Sequence, residues 1–215
     1  MENQTWSGFH AIVLAAGRSS RMTCEKSRLP WIDGKPLLSW MVDSLSAAGW
    51  QTNAVLGPES FAWGNSTLPA DCAVLNPDPA RGKTSSLTCG VERLPFETQW
   101  ILISAVDQPR RPALYQRLRE EAETGRSKII VPARGGSRGH PVILSAILRG
   151  ELLALEEDSR GLRGLLDAHR SETYRLPDGD TEDQQWDMNT PAAYQAALAF
   201  FRNHATAQPS PAASA

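Results

Sequence analysis

Two groups of side chains in this sequence have the types and spacing for phosphate chemistry. The first follows Ala15, Ala16 and Gly17, which carry almost no side chain, and comprises Arg18, Arg21, Lys26 and Arg28 against one acid, Glu25. Bare main-chain N–H groups followed by clustered cations suit a polyphosphate. Glycine at position 17 lets backbone approach a ligand closely. The plainer reading is a surface loop with a solvated basic patch. The second group centres on Asp107, in Val106-Asp107-Gln108-Pro109. A carboxylate there offers the hard oxygen that Mg2+ takes alongside substrate phosphates, or it caps the helix that follows.

Strands must carry both groups. Residues 9–14 form a short apolar run that ends at Ala15, and residues 100–106 are almost continuously apolar, as in a strand buried on both faces. Further strands are expected at 52–56, 72–75, 128–131, 141–144 and 173–176. Helical spacing marks 36–48, 84–94, 112–124, 152–155, 162–169 and 191–202. This alternation predicts an α/β fold: a single-domain, Rossmann-like three-layer sandwich, with a mostly parallel sheet and helices on both faces. Ligands of such sheets bind at the carboxyl ends of strands. Leu14 and Asp107 both sit at such ends, so they can converge.

Composition narrows the class. The 215 residues suit one domain, expected over 1–204, and the Ala/Pro/Ser-rich residues 205–215 read as a disordered tail. A net charge of -2 gives no reason to expect a nucleic-acid surface. Cys24, Cys72 and Cys89 are odd in number and form no Cys-x-x-Cys pair, which favours reduced thiols. The longest early apolar run, 11–16, is far short of the roughly 20 residues of a membrane span. A cytoplasmic protein without membrane contact is expected. Gly82-Lys83-Thr84 mimics the tail of a P-loop, but the first glycine of that motif would fall on Pro77.

The ordered pattern goes further. Leu-Ala-Ala-Gly-x-Ser-x-Arg-Met from Leu14, then Lys26 and Leu29-Pro30-Trp31, resembles the signature loop of the MobA-like nucleotidyltransferases that handle molybdenum cofactor, most of all their cytidylyltransferase branch. Val-Asp-Gln-Pro at 106–109, Gly-His-Pro-Val at 139–142, Asn-Pro-x-x-x-x-Gly-x-x-Ser-Ser-Leu at 76–87 and Trp-Asp-Met-Asn-Thr-Pro at 186–191 are similar to other motifs of that family. The resemblance covers about residues 9–200. It implies a fold of the nucleotide-diphospho-sugar transferase type. Two departures stand out: Thr23 where members carry Gly, and Asn189 where they carry Asp.

The resemblance also implies roles. Leu14, Ala15, Ala16, Gly17, Arg18, Arg21 and Lys26 would wrap a nucleoside triphosphate, with Gly82, Ser85 and Ser86 beside it. Asp107 would bind Mg2+ and Asp187 would be its second ligand, although Asp187 also makes sense as a turn-former before the helix at Thr190-Pro191. Gln108, Pro109, Gly139 and His140 would lie by the acceptor, and Arg110, Arg134 and Arg138 nearby suit an anionic one. A lone histidine in a glycine-rich loop is more often a surface residue, and His140 is not expected to act as a base.

The implied reaction is Mg-dependent transfer of CMP from CTP to the terminal phosphate of molybdopterin, releasing pyrophosphate. Arg21, Lys26 and Asp107 would be its catalytic residues: Arg21 meets the departing pyrophosphate, Lys26 the α- and β-phosphates. Partners would be these small molecules, with an acceptor molybdoenzyme or its maturation chaperone downstream. A guanylyltransferase for the same cofactor, a sugar-1-phosphate nucleotidyltransferase and a non-catalytic cofactor-binding module are the alternatives.

Overall fold

A computed structural model describes residues 8–17, 25–134, 137–157, 160–176 and 186–204. Phe9–Leu14 (β1) pairs in parallel on both edges, with Gln51–Leu56 (β2) on one side and the fourth strand on the other. Ala73–Leu75 (β3) extends the sheet beyond β2, and Trp100–Ala105 (β4) is the strand on the other side of β1. These four strands point the same way, so Leu14 and Ala105 finish side by side at one edge. Main-chain bonds carry the ladder past the strand ends: Ala15 N–H donates to Val55 O at 2.9 Å and Val106 N–H to Leu14 O at 3.1 Å.

Beyond β4 the sheet becomes mixed. Ile129–Arg134 (β5) and Ser137–Arg138 (β6) form a hairpin, Val142–Ser145 (β7) lies antiparallel between β4 and β5, and Thr173–Leu176 (β8) pairs in parallel with β5. Ala133 faces Arg138 while Ile130 faces Ile143, so three steps along β5 answer five along β6 and β7. The surplus residues include His140 and Pro141, joined by a cis peptide, at the edge where β1 and β4 end. The expected layering is present. The reversed direction of β7 was not foreseen, because an apolar run reads the same either way.

Side chains alternate across the sheet. Ala11, Val13, Leu102, Ile130 and Ile143 face one core, closed by Leu37–Ala47 (α1), by Pro112–Glu123 (α4) and by the C-terminal helix Pro191–His204 (α7). Ile12, Ile101, Ile103, Ile129 and Leu144 face the other, closed by Lys83–Glu92 (α3), Arg149–Leu153 (α5) and Gly161–Ala168 (α6). At about 1.5–3 kcal/mol for each large aliphatic side chain fully buried, these two layers dominate the favourable side of folding. Gly90 brings α3 against the sheet: a Cβ there would stand 2.6 Å from Ile12 and 3.1 Å from Val55. The start of α3 is thereby fixed at the edge where β1 and β4 end.

Pro58–Thr67 (α2) was not anticipated; it sets Gly64 on Leu56, where a Cβ would meet Leu56 Cδ1 at 2.1 Å. The helix expected at 152–155 begins earlier, as α5. No helix among the described residues is long and apolar enough to cross a membrane. Cys72 and Cys89 are free, and desolvation pushes the Cys72 thiol up to about 11. The expected tail at 205–215 and Cys24 lie outside the described residues.

Candidate active site

Lys26 begins a 3-10 turn, Lys26–Arg28, whose anchor lies downstream. Trp31 is 1% exposed and packs its ring against Trp40, Tyr194 and Phe201, with centroids 6.0, 5.9 and 5.3 Å away. Tyr194 O–H donates to Pro30 O, and Ser27 Oγ, buried, donates to Glu25 Oε1 at 2.6 Å. Aromatic packing between α1 and α7 thus fixes the base of a flexible side chain. Its ammonium donates to Asp107 Oδ2 at 2.8 Å and to Asn189 Oδ1 at 3.2 Å.

Asp107 enters from the end of β4, whereas Asp187 and Asn189 arrive 80 residues later, just before α7. Two ties hold the segments together. Met188 N–H donates to Asp107 O at 2.9 Å, and Gln108 Nε2 donates to Asp187 Oδ1 at 3.1 Å. Arg110 locks the assembly from below. It is 1% exposed, and its guanidinium donates to Pro109 O at 2.9 Å, Trp186 O at 2.9 Å and His140 O at 3.2 Å. A buried cation satisfied by three carbonyls is a clamp joining three segments of the site. It also stands 3.7 Å from Asp187 Oδ1.

The third wall is the loop before α3. Asn76, 2% exposed, donates through Nδ2 to Ser85 Oγ at 3.0 Å and Ser86 Oγ at 2.9 Å, while its Oδ1 accepts from Asp78 N–H at 3.0 Å. Gly82 turns the chain into the helix with a φ of 99°. The first turn is capped from far away: the Glu157 carboxylate accepts from Thr84 N–H at 2.9 Å and from Thr84 Oγ1. Those bonds, the hydroxyl first, hold Glu157 below the usual carboxylate range. A Cβ on Gly82 would come within 2.6 Å of that carboxyl carbon and displace it, and the φ of 99° is itself one that side-chain-bearing residues rarely adopt.

Between these walls opens a cavity of about 410 Å3, lined among others by Leu14, Asp107, Gln108, His140, Asp187 and Asn189. His140 lies at its accessible rim, yet protein packed around the ring pushes its pKa down, and the Arg110 charge pushes it further. The imidazole is therefore neutral near pH 7, a hydrogen-bonding group rather than a cation. Another cavity, about 490 Å3, opens at the opposite ends of the strands beside His10, Trp50 and Asp71, away from the gathered acids and cations.

A MobA-like NTP transferase domain matches residues 11–173, from β1 to the start of β8. The chain belongs to that family. No curated protein matches it in sequence. Among solved structures, Rv0371c from Mycobacterium tuberculosis H37Rv is 25% identical, with a TM-score of 0.71 over 90% of this chain and 98% of that one. The manganese complex of Rv0371c is 24% identical, with a TM-score of 0.67 over 90% and 99%. Molybdopterin-guanine dinucleotide biosynthesis protein A from Archaeoglobus fulgidus is 19% identical, with a TM-score of 0.65 over 91% and 100%. At such identities the last two share the fold alone.

As a MobA-like nucleotidyltransferase, the protein gathers Leu14, Asp107, Gln108, His140 and Asp187 around one cavity, and Lys26 joins through Asp107. Ala15 and Ala16 are buried beyond β1, while Gly17 is exposed. Gly82, Ser85 and Ser86 shape the neighbouring loop. Pro109 and Gly139 are buried, and Gly139 N–H donates to Pro132 O at 2.7 Å. Arg18, Arg21 and Thr23 lie outside the described residues, as does the side chain of Arg134. Three cations are placed differently from expectation. Arg28 pairs with Glu25 at 3.0 Å and lies over Trp63, Arg110 serves the main chain, and Arg138 pairs with Asp167.

Glu157, Arg160 and Arg163 also line the cavity, and sequence reasoning did not single them out. Arg160 and Arg163 flank the first turn of α6, and nothing local marks Glu157. The oxygens present fit a divalent cation. Two carboxylates and the amide oxygen of Asn189 are hard donors at one end of the cavity. No cluster of three His, Cys, Asp or Glu occurs among the described residues. Mg2+ commonly takes one or two carboxylates and completes its shell with substrate oxygens and water.

Proposed function

We propose that this MobA-like transferase joins CMP from CTP to the terminal phosphate of molybdopterin. The observation that carries the reading is the meeting of Lys26, Asp107, Asp187 and Asn189 at the end of β1 and β4. Asp107 and Asp187 would hold Mg2+, which when bound supplies positive charge to the phosphate oxygens. Lys26, bonded here to Asp107, would move to the α- and β-phosphates. Arg21 meets the departing pyrophosphate and Arg18 gives a further phosphate contact. The residues from Leu14 to Gly17 and the loop of Gly82, Ser85 and Ser86 flank the nucleoside. Gln108, Pro109, Gly139 and His140 border the acceptor side.

An ionised phosphate oxygen of the acceptor attacks the α-phosphorus in line. The bond to the bridging oxygen breaks, and pyrophosphate leaves with the electron pair. The nucleophile has no proton to lose, so a neutral His140 is no obstacle.

Base choice is assigned to Ala16. Its methyl, 7% exposed at the strand end, narrows the space that a second glycine would open for a purine. A methyl-sized difference discriminates by about 1–3 kcal/mol. CTP is therefore favoured over GTP by tens- to a few hundred-fold, and Ala16→Gly erodes the ratio chiefly by admitting GTP. Measuring kcat/KM for both nucleotides with both proteins checks this. A wild type that prefers GTP removes the cytidylyl assignment and leaves the guanylyl alternative.

A further inference from the structure

Unlike Asp107, which follows β4 directly, Asp187 lies in a stretch, 186–189, that belongs to neither helix nor strand. Its side chain is 37% exposed. Contacts from one short segment, Asp107 to Arg110, nonetheless fix its place. On one flank Met188 N–H donates to Asp107 O at 2.9 Å. On the other, Arg110 Nη1 donates to Trp186 O at 2.9 Å. At the side chain, Gln108 Nε2 donates to Asp187 Oδ1 at 3.1 Å, and Arg110 Nη2 stands 3.7 Å from the same oxygen. Arg110 thus holds both the main chain and the carboxylate. It has little freedom of its own: it is 1% exposed, and it also donates to Pro109 O and His140 O.

Resting on the reading of Asp107 and Asp187 as the metal pair, we propose that Arg110 is a positioning residue for the second ligand. It acts on the cation through Asp187. The segment that supplies the first carboxylate thereby also sets the distance and orientation of the second, before any cation arrives. Partners that orient a metal ligand in this way raise affinity by sparing the ion the cost of ordering it. By charge alone, a guanidinium beside Asp187 opposes a dication. Its contribution is therefore the placement of the carboxylate and not its field. A lysine would keep the charge, but its single nitrogen cannot serve the Nε and both Nη positions of the planar fork.

Arg110→Lys tests this with Mn2+ alone, the EPR signal of the free ion reporting binding without nucleotide. The variant binds Mn2+ about tenfold more weakly than wild type, the scale on which such orienting partners act. Asp187→Asn weakens binding to a similar degree, and the double variant loses no more than about twofold beyond either. Residues that act through one carboxylate are not additive. A lower Tm with unchanged Mn2+ affinity, or losses that multiply in the double variant, overturns the proposal. Wild-type affinity in Asp187→Asn, or no Mn2+ binding by wild type, refutes the metal pair and the proposal with it. A second measurement needs no variant to fold. The Met188 amide, whose residue is fully buried, exchanges slowly in wild type without metal and changes less than about twofold when Mg2+ is added. Protection gained only with Mg2+ would show that the cation, and not Arg110, places the segment. None of these readouts involves CTP or molybdopterin, so a failed turnover assay counts against the proposed reaction alone.

Discussion

Asp107→Ala lowers turnover by about 10³-fold or more while the protein still folds. Losing a ligand to the catalytic cation removes several kcal/mol of transition-state stabilisation, and each 1.4 kcal/mol is about a factor of ten in rate. The fold depends little on this carboxylate. Its side chain is 23% exposed, and the bond that ties the Asp187 segment to β4 uses Asp107 main-chain oxygen, which alanine retains. Asn189 still accepts from Lys26 in the variant, so the loss of this partly exposed pair costs on the order of 1 kcal/mol, equivalent to a few degrees in Tm. Pyrophosphate release and thermal unfolding, recorded on the same preparation, separate the two effects. Turnover close to wild type would show that Asp107 only neutralises Lys26.

Lys26→Ala cuts kcat by roughly 10²–10³, the scale of one lost stabiliser of developing charge. The position of the ammonium is what makes the loss large. It is 13% exposed on its side chain, it is held 2.8 Å from Asp107, and the chain behind it is fixed by Trp31. With the chain behind it fixed, only the side chain has to swing from Asp107 to the phosphates on which charge accumulates. Steady-state kinetics over a range of nucleotide concentrations resolves kcat from KM. A change confined to KM would make Lys26 a residue that binds substrate and transition state equally. Lys26→Arg is no substitute, because a planar guanidinium cannot point a compact charge between Asp107 and Asn189.

The two strands that carry the chemistry were legible in the residues. β1 and β4 are apolar runs ending in Ala-Ala-Gly and Asp-Gln-Pro, and alternation with helices implied that their ends meet. Other parts were not legible for identifiable reasons. α2 has a glycine at 64 and few apolar residues; it forms because Gly64 fits over Leu56. Arg110 looked like a surface cation for an acceptor, yet it is buried and bonded to the neighbouring Pro109 carbonyl and to two carbonyls from distant segments, those of His140 and Trp186. Nothing local announces such a partnership. Glu157 capping α3 is likewise a contact across 73 residues, invisible to any short motif. In the sequence Asn189 stood out as a departure from the family's Asp; in the fold it receives Lys26.

Pyrophosphate release with molybdopterin as acceptor, measured for CTP, GTP, ATP and UTP with and without Mg2+, bears most directly on the proposed reaction. Mg-dependent release with CTP is expected, exceeding that with GTP by tens-fold or more and requiring molybdopterin. Release with a sugar 1-phosphate in place of molybdopterin, or no release with any of the four nucleotides, would contradict it.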